Sequence, residues 1–327
     1  MIATFAPQGP SASRIANLLW VMMALAAVVY FVFLAVLLVG LRSRRKPGRD
    51  EPVRDEPETK ALSDRKEGRW LAVGGVFIPT LVLSIVFVFT VRSMNQTPQE
   101  APKGSLVVNL VGHRWWWEVN YPSAGVSTAN EIHIPVGKPV AIRMTSADVI
   151  HSFWVPELSG KMDAFPDYAN ELVLEANNEG SFQGSCAEFC GLHHARMPIV
   201  VVVHSEGGFA AWLNKESLSS RAPSSGSEAA GKEVFRNAGC ANCHTVREGV
   251  ARAVSPSTSS EKRSLGPDLS HQADRGKLIS MRRERTRQVL AQWITNPTSI
   301  KPESGMPATA LKPRDLKSLL DYLESLK

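Results

Sequence analysis

The four cysteines of the chain fall into two tight pairs, each beside histidine. The first lies in Cys186-Ala-Glu-Phe-Cys190-Gly-Leu-His193-His194-Ala-Arg-Met197. Two thiolates four residues apart can both bridge a pair of soft metal ions, and a histidine and a methionine further along can close the site from the same loop. Thiolate, imidazole and thioether together favour copper over magnesium or calcium. Zinc satisfies the ligand types alone, but a methionine suits zinc poorly. A dinuclear site needs one more strong ligand, and His151, in Asp148-Val-Ile-His151-Ser-Phe-Trp154 just after an expected strand, is placed to reach the loop. The second pair, Cys240-Ala-Asn-Cys243-His244, has the spacing of c-type haem attachment, two thiols for the vinyl groups and an adjacent imidazole for the iron. Disulfide staples are the competing reading in an oxidising compartment, and a redox dithiol is the rival for the second pair.

The elements that must position these residues differ along the chain. Residues 15–41 and 71–91 contain no charge, and each run is long enough to cross a bilayer. The stretch before the first run carries one basic residue, Arg14, whereas the connection between the runs carries ten Lys and Arg. The positive-inside rule therefore puts the connection in the cytoplasm and both termini outside. The first run is too long for a signal h-region and ends in Arg42, Arg44, Arg45 and Lys46, so it reads as an uncleaved helix. Beyond the second run, short β-rich segments at 106–110, 131–134, 140–144, 171–175 and 198–204 alternate with breakers, which predicts a sandwich or small barrel. A short helix is expected at 208–215. Residues 217–227 have the Ser, Pro and Gly content of a flexible linker. The last hundred residues turn helical, ending in 313–326 with Leu316, Leu319, Leu320, Leu323 and Leu326 at helical spacing.

The overall charge of +6 hides two opposite parts. Residues 93–204 carry six basic against eleven acidic residues, and residues 225–327 seventeen against eleven. A nucleic-acid binder is not built this way; opposite signs on one chain suggest two domains that face each other.

With these motifs in place, residues 225–327 resemble a class I cytochrome c. The surrounding pattern carries the likeness: Gly231 and Phe235 before the cysteines, Gly266-Pro267-Asp268-Leu269 after them, and Met306-Pro307 before a terminal helix. The resemblance implies Met306 as second axial ligand, which would raise the potential, and Pro267 against the His244 ring. Met281 competes by type, and 247–264 reads as an inserted loop. The first cysteine motif, with its upstream Asp-Val-x-His-Ser-Phe and the two apolar runs, resembles the CuA-bearing subunit II of cytochrome c oxidase over residues 15–204. That family implies a cupredoxin-like β-sandwich in which Cys186 and Cys190 bridge two coppers, His151 and His194 cap them and Met197 is a weak ligand. It further implies the Glu188 carbonyl as a ligand, with the Glu188 carboxylate on a Mg²⁺ shared with subunit I. His193 matches by type only; the spacing selects His194. Gly112-His113-Arg114-Trp115-Trp116-Trp117 resembles the aromatic region above the copper, with Trp115 as the side chain where electrons arrive. An exposed Trp115 near Asp148, Asp163 and Asp167 is expected as a docking patch; packing in the sandwich core is the alternative for these aromatics.

The combined resemblance implies a multidomain membrane protein of the caa type. Its parts are a transmembrane hairpin within 1–96 (spans about 15–41 and 71–92), a cupredoxin-like domain at 97–216, a linker at 217–227 and an all-α cytochrome c domain at 228–327. It would pass electrons from covalent haem c to dinuclear copper and on to haem a of subunit I, where O₂ is reduced. Implied partners are subunits I and III, a cytochrome c donor or bc complex, and the bilayer of a bacterial inner membrane. Glu67, near the second span, departs from the family pattern for a proton-path glutamate. A CuA-bearing nitric oxide reductase subunit and a membrane-anchored electron shuttle are the competing functions.

Overall fold

The computed structural model describes residues 5–44, 65–247, 265–275, 277–278 and 283–327. Two units separate: Ser13–Thr97, and Met1–Ala12 together with Pro98–Lys327. Residues 248–264 and 45–64, expected as an inserted loop and a cytoplasmic connection, and Met281 lie outside the described residues, as does the side chain of Glu67.

The first unit is helical. Helix α1 (Pro10–Arg44) is followed by α2 (Arg65–Ala72), a wider π turn at Val73–Phe77 and α3 (Ile78–Gln96). Two stretches, Pro10–Arg42 and Gly68–Gln96, are long and apolar enough to cross a membrane. They are apolar all round, and helices of that kind need an apolar surrounding. Pro79 accounts for the π turn. A proline ring clashes with the carbonyl four residues back, here Gly75, and the wider turn moves that carbonyl aside.

In the second unit, ten strands form two sheets. They are β1 (Leu106–His113), β2 (Trp116–Tyr121), β3 (Val126–Ala129), β4 (Glu131–Pro135), β5 (Val140–Ser146), β6 (His151–Trp154), β7 (Met162–Ala164), β8 (Asn170–Leu174), β9 (Gly180–Cys186) and β10 (Pro198–His204). The sheet orders are β3-β2-β1-β5-β8 and β4-β10-β9-β6-β7. All five β-rich segments read from the sequence are strands. The other five were not, because they are short or carry polar and glycine residues that mask the alternation. In β1 the fully buried Val108 and Leu110 alternate with partly exposed neighbours, so one face meets the core. The run Val200–Val203 in β10 is apolar on both faces because helix α4 (Glu206–Ser217) lies over the second one; Trp212 of α4 stacks at 3.9 Å on His133 of β4, the strand beside β10. Ser205 caps α4, accepting from Gly208 N at 3.1 Å.

The remaining helices are α5 (Gly226–Asn237), α6 (Arg287–Thr295), α7 (Pro297–Ile300) and α8 (Pro313–Ser325), with a two-stranded ribbon of β11 (Lys277–Leu278) and β12 (Arg283–Glu284). Helix α8 buries Leu319, Leu320 and Leu323, as its leucine spacing predicts. It crosses α5 at Gly231, where an added Cβ would lie 2.0 Å from the Ser318 carbonyl oxygen. Gly231→Ala is therefore expected to destabilise this part by about 1–3 kcal/mol through overpacking. Thermal unfolding of the full chain measures it; an unchanged midpoint would count against the tight crossing.

The linker departs from the expectation of a freely flexible tether. Ser220 is buried, and both its N–H and its hydroxyl donate to the Arg247 carbonyl, at 3.1 and 2.8 Å. Polar serines favour linkers because they tolerate water, but this one finds backbone partners instead.

Candidate functional site

The sandwich brings the first cysteine motif and His151 together at one end. Cys186 closes β9, His151 opens β6, and the connection from Cys186 to β10 carries Cys190, His194 and Met197. The Cys186 and Cys190 sulfurs are 3.8 Å apart, far beyond a disulfide bond, and both cysteines are free and buried. His151 Nδ1 is 3.9 Å from Cys186 Sγ, His194 Nδ1 is 3.9 Å from Cys190 Sγ, and Met197 Sδ is 3.9 Å from Cys190 Sγ. The Glu188 carbonyl oxygen is 3.3 Å from Cys186 Sγ. Two sulfurs unbonded to each other, ringed by imidazole, thioether and carbonyl donors, fit soft metal ions. The contact between the two thiols holds Cys186 well below the usual thiol range and pushes Cys190 up.

The group that orients His151 is Asp148, whose role the sequence did not reveal. Asp148 Oδ1 pairs with His151 Nε2 at 2.9 Å, leaving Nδ1 turned to the sulfur. Its other oxygen accepts from the Arg114 N–H at 2.7 Å, so one carboxylate ties the metal loop to the aromatic segment. Burial alone would raise its pKa, but hydrogen bonds from His151, Val149 and Arg114 outweigh that and hold it at about 2. The signal available was its position three residues before His151.

His193 does not join the sulfurs. It turns the other way, its ring 4.9 Å from that of Trp115 and a ring nitrogen against the Pro302 carbonyl.

Trp115 corrects the expectation of an exposed docking residue: it is only 8% exposed. It lies between β1 and β2 rather than within a strand. Its indole N–H donates to the Cys190 carbonyl at 2.9 Å. Lys301, following α7, covers it, donating to the Trp115 carbonyl at 2.7 Å with its ammonium 5.9 Å from the ring centre. Trp117 is fully buried; Trp116 stays partly exposed and stacks on His113.

A cavity of 430 Å³ holds the second motif. Cys240, Cys243, His244 and Met306 line it together, and Trp115 and Trp116 of the sandwich form part of its wall. His244 Nδ1 is 2.9 Å from the Pro267 carbonyl, which fixes the ring and leaves Nε2 for a ligand. Burial lowers the His244 pKa, favouring the neutral imidazole that metal binding requires. The close approach of Gly266 is obligatory, because a Cβ there would lie 2.6 Å from His244 Cε1. The cavity, the free thiols and the oriented imidazole fit a haem.

Among the described residues, the acidic copper domain and the basic cytochrome domain do not meet as carboxylate–cation pairs of that sign around this seam. Lys301 engages the Trp115 carbonyl and Arg247 the Gly125 carbonyl at 3.2 Å, while the ion pair Lys215–Asp274, at 3.1 Å, has the signs reversed.

Comparison with known proteins agrees with both halves. Residues 124–204 match the family described as cytochrome c oxidase subunit II, periplasmic domain, and residues 228–327 match cytochrome c. These two domains imply copper and haem c. Cytochrome c oxidase subunit 2 of Alkalihalophilus pseudofirmus is 31% identical over 326 residues, covering 98% of this chain and 90% of the relative. The subunit 2 of Bacillus subtilis is 30% identical, covering 79% and 75%. The crystal structure of the periplasmic domain of subunit II from Bradyrhizobium japonicum is 34% identical over 36% of this chain and 96% of its own, with a TM-score of 0.35. The chain belongs to the cytochrome c oxidase subunit II family, as a membrane-anchored member that joins a cupredoxin-like domain to a cytochrome c domain.

Proposed function

We propose that this subunit receives electrons outside the bacterial inner membrane at its cytochrome domain, relays them through Trp115 to the copper loop and delivers them to haem a of subunit I. There O₂ is reduced and proton translocation is coupled to it. The observation that carries the reading is that one side chain serves both sites: the Trp115 indole donates to the Cys190 carbonyl and also walls the cavity of Cys240, Cys243 and His244. When bound, haem c and the dinuclear copper centre supply reversible one-electron chemistry.

The residues divide the work. Cys186 and Cys190 would hold the coppers as thiolates, with His151 and His194 as imidazole donors and Met197 and the Glu188 carbonyl as weak donors. The Glu188 carboxylate is available to Mg²⁺ at the boundary with subunit I. Cys240 and Cys243 would hold a haem through thioether bonds to its vinyl groups, and His244 and Met306 would hold its iron. Residues 1–96 anchor the chain, 97–216 form the copper domain, 217–227 the connection and 228–327 the cytochrome domain. Subunit III, and a soluble cytochrome c or a bc complex as donor, complete the partners. The connection, held through Ser220 on the Arg247 carbonyl, keeps the cytochrome domain beside the copper domain.

Lys301 makes this docking pH-dependent. Burial at the seam lowers its pKa from 10.5 to about 8. Between those two values the docked form binds fewer protons than the undocked form. Docking is therefore expected to be independent of pH below about 8, and to strengthen as pH rises from there towards 10.5. The amplitude of the fast haem-to-copper phase after a reducing pulse, followed against pH, reads it. The rise should vanish in Lys301→Met.

Optical and EPR spectroscopy of the purified complex, with metal analysis on the same sample, tests the whole reading. Mixed-valence dicopper, covalent haem c and a-type haem in one preparation are expected. Haem c and dicopper without a-type haem would move the chain to a nitric oxide reductase or a lone shuttle.

A further inference from the structure

Three side chains that belong to neither cysteine motif converge from distant parts of the chain, beside Gln272 and Arg275 of the haem cavity wall. Glu216 stands in the last turn of α4, in the copper domain, whereas His271 and Asp274 belong to the 265–275 loop of the cytochrome domain. One ligand atom from each lies within 4.8 Å of the other two. His271 is 3% exposed and Glu216 7%, and Asp274 sits at the rim, open to solvent.

We propose that Glu216, His271 and Asp274 bind a divalent transition-metal ion, Zn²⁺ by its donor chemistry, across the junction of the copper and cytochrome domains. His271 Nε2 lies 3.0 Å from the Leu218 carbonyl and donates to it, which leaves Nδ1 with its lone pair. That atom is buried and has no protein partner. A ring fixed by a carbonyl on one nitrogen and vacant on the other is the usual arrangement of a ligating histidine. The Glu216 carboxylate has neither a hydrogen bond nor an ion pair among the described residues, and burial raises its pKa to about 7. A buried, uncompensated carboxylate at neutral pH is satisfied by a proton or by a cation. Here a second donor is already within reach of the same point.

The neighbouring charges leave the position open. Arg247 directs one amino group to the Gly125 carbonyl and the other to the backbone carbonyl of Glu216, at 3.2 and 2.9 Å. Arg275 donates to the Asp268 carbonyl at 2.9 Å. Both cations act on the Glu216 carboxylate from a distance, with Glu131 opposing them. Lys215 holds one Asp274 oxygen at 3.1 Å, leaving the other for an ion. One imidazole nitrogen with two carboxylates suits Zn²⁺, whereas Ca²⁺ and Mg²⁺ take oxygen donors. Bonds of about 2.0–2.2 Å bring two ligand atoms to within about 4.4 Å of each other, so small side-chain adjustments close the site. An ion there pins the cytochrome domain to α4.

The test uses the intact oxidase, washed with chelator and dialysed against Zn²⁺ alone, with zinc, copper and haem measured on the same sample. One saturable Zn²⁺ per chain is expected, with affinity reduced at least about tenfold in His271→Gln and Glu216→Gln and less in Asp274→Asn. Copper and haem contents report that each variant is folded. X-ray absorption should show nitrogen and oxygen neighbours with an imidazole pattern. No saturable Zn²⁺, equal affinity in all variants, or sulfur neighbours placing the ion at the copper cysteines would each overturn the assignment.

Discussion

Cys186→Ser is expected to abolish copper binding while leaving haem c in place. Cys186 lies within 3.9 Å of Cys190 Sγ and His151 Nδ1 and 3.3 Å from the Glu188 carbonyl, so its loss removes the donor common to most of the set. A serine hydroxyl is a hard donor that stays protonated at neutral pH, and it cannot bridge soft ions. Asp148→Asn is the graded companion. It touches no sulfur but sets the His151 ring, and loss of such an orienting partner costs about 10–100-fold in metal affinity. Copper per chain, measured by metal analysis beside haem from the optical spectrum, separates the cases. Cys186→Ser should fall to background and Asp148→Asn should load only at raised copper. Full copper in Cys186→Ser would sink the ligand assignment.

The second large effect concerns Trp115. Trp115→Leu should leave both cofactors bound and slow haem-to-copper transfer by on the order of 10²-fold, the scale for reacting groups that lose their positioning element. Leucine keeps apolar bulk at the seam but has no N–H for the Cys190 carbonyl and no ring for the cavity wall. Rapid reduction of haem c followed by optical detection of copper reduction reads this directly. Trp116→Leu is the control, since Trp116 also walls the cavity but stacks on His113 and makes no bond to the copper loop. If both variants slow transfer equally, the indole bond to Cys190 is not the connection.

Burial of Trp115 changes the view of how electrons reach the copper. An exposed tryptophan among acids would serve any basic cytochrome that docks by charge. Under the proposed function, a tryptophan covered by Lys301 of the cytochrome domain serves the domain that covers it. The attachment is also specific in geometry, because a carbonyl accepts a hydrogen bond in one direction whereas a surface carboxylate attracts any cation. Net charge, which adds up whole domains, cannot report such a contact.

The parts of this protein legible in its sequence are those whose partners are near in the chain. The cysteine loop from Cys186 to Met197 and the Cys240–His244 motif carry most of their donors within twelve and five residues, so the donor types and their spacing are set by the chain itself. The apolar spans and the leucine face of α8 were legible for a similar reason: a regular element repeats its buried face at a fixed period. Strands β6, β7 and β9 were not, because their pairing depends on residues elsewhere in the chain. Only the tertiary structure brought Asp148 onto both His151 and Arg114. It alone laid Lys301 over Trp115, 186 residues away, and carried His271 to Glu216. The last two of these contacts arise where two domains meet. Their residues are polar or aromatic types that occur on any surface, so neither composition nor spacing marks them until the chain has folded and the seam has closed.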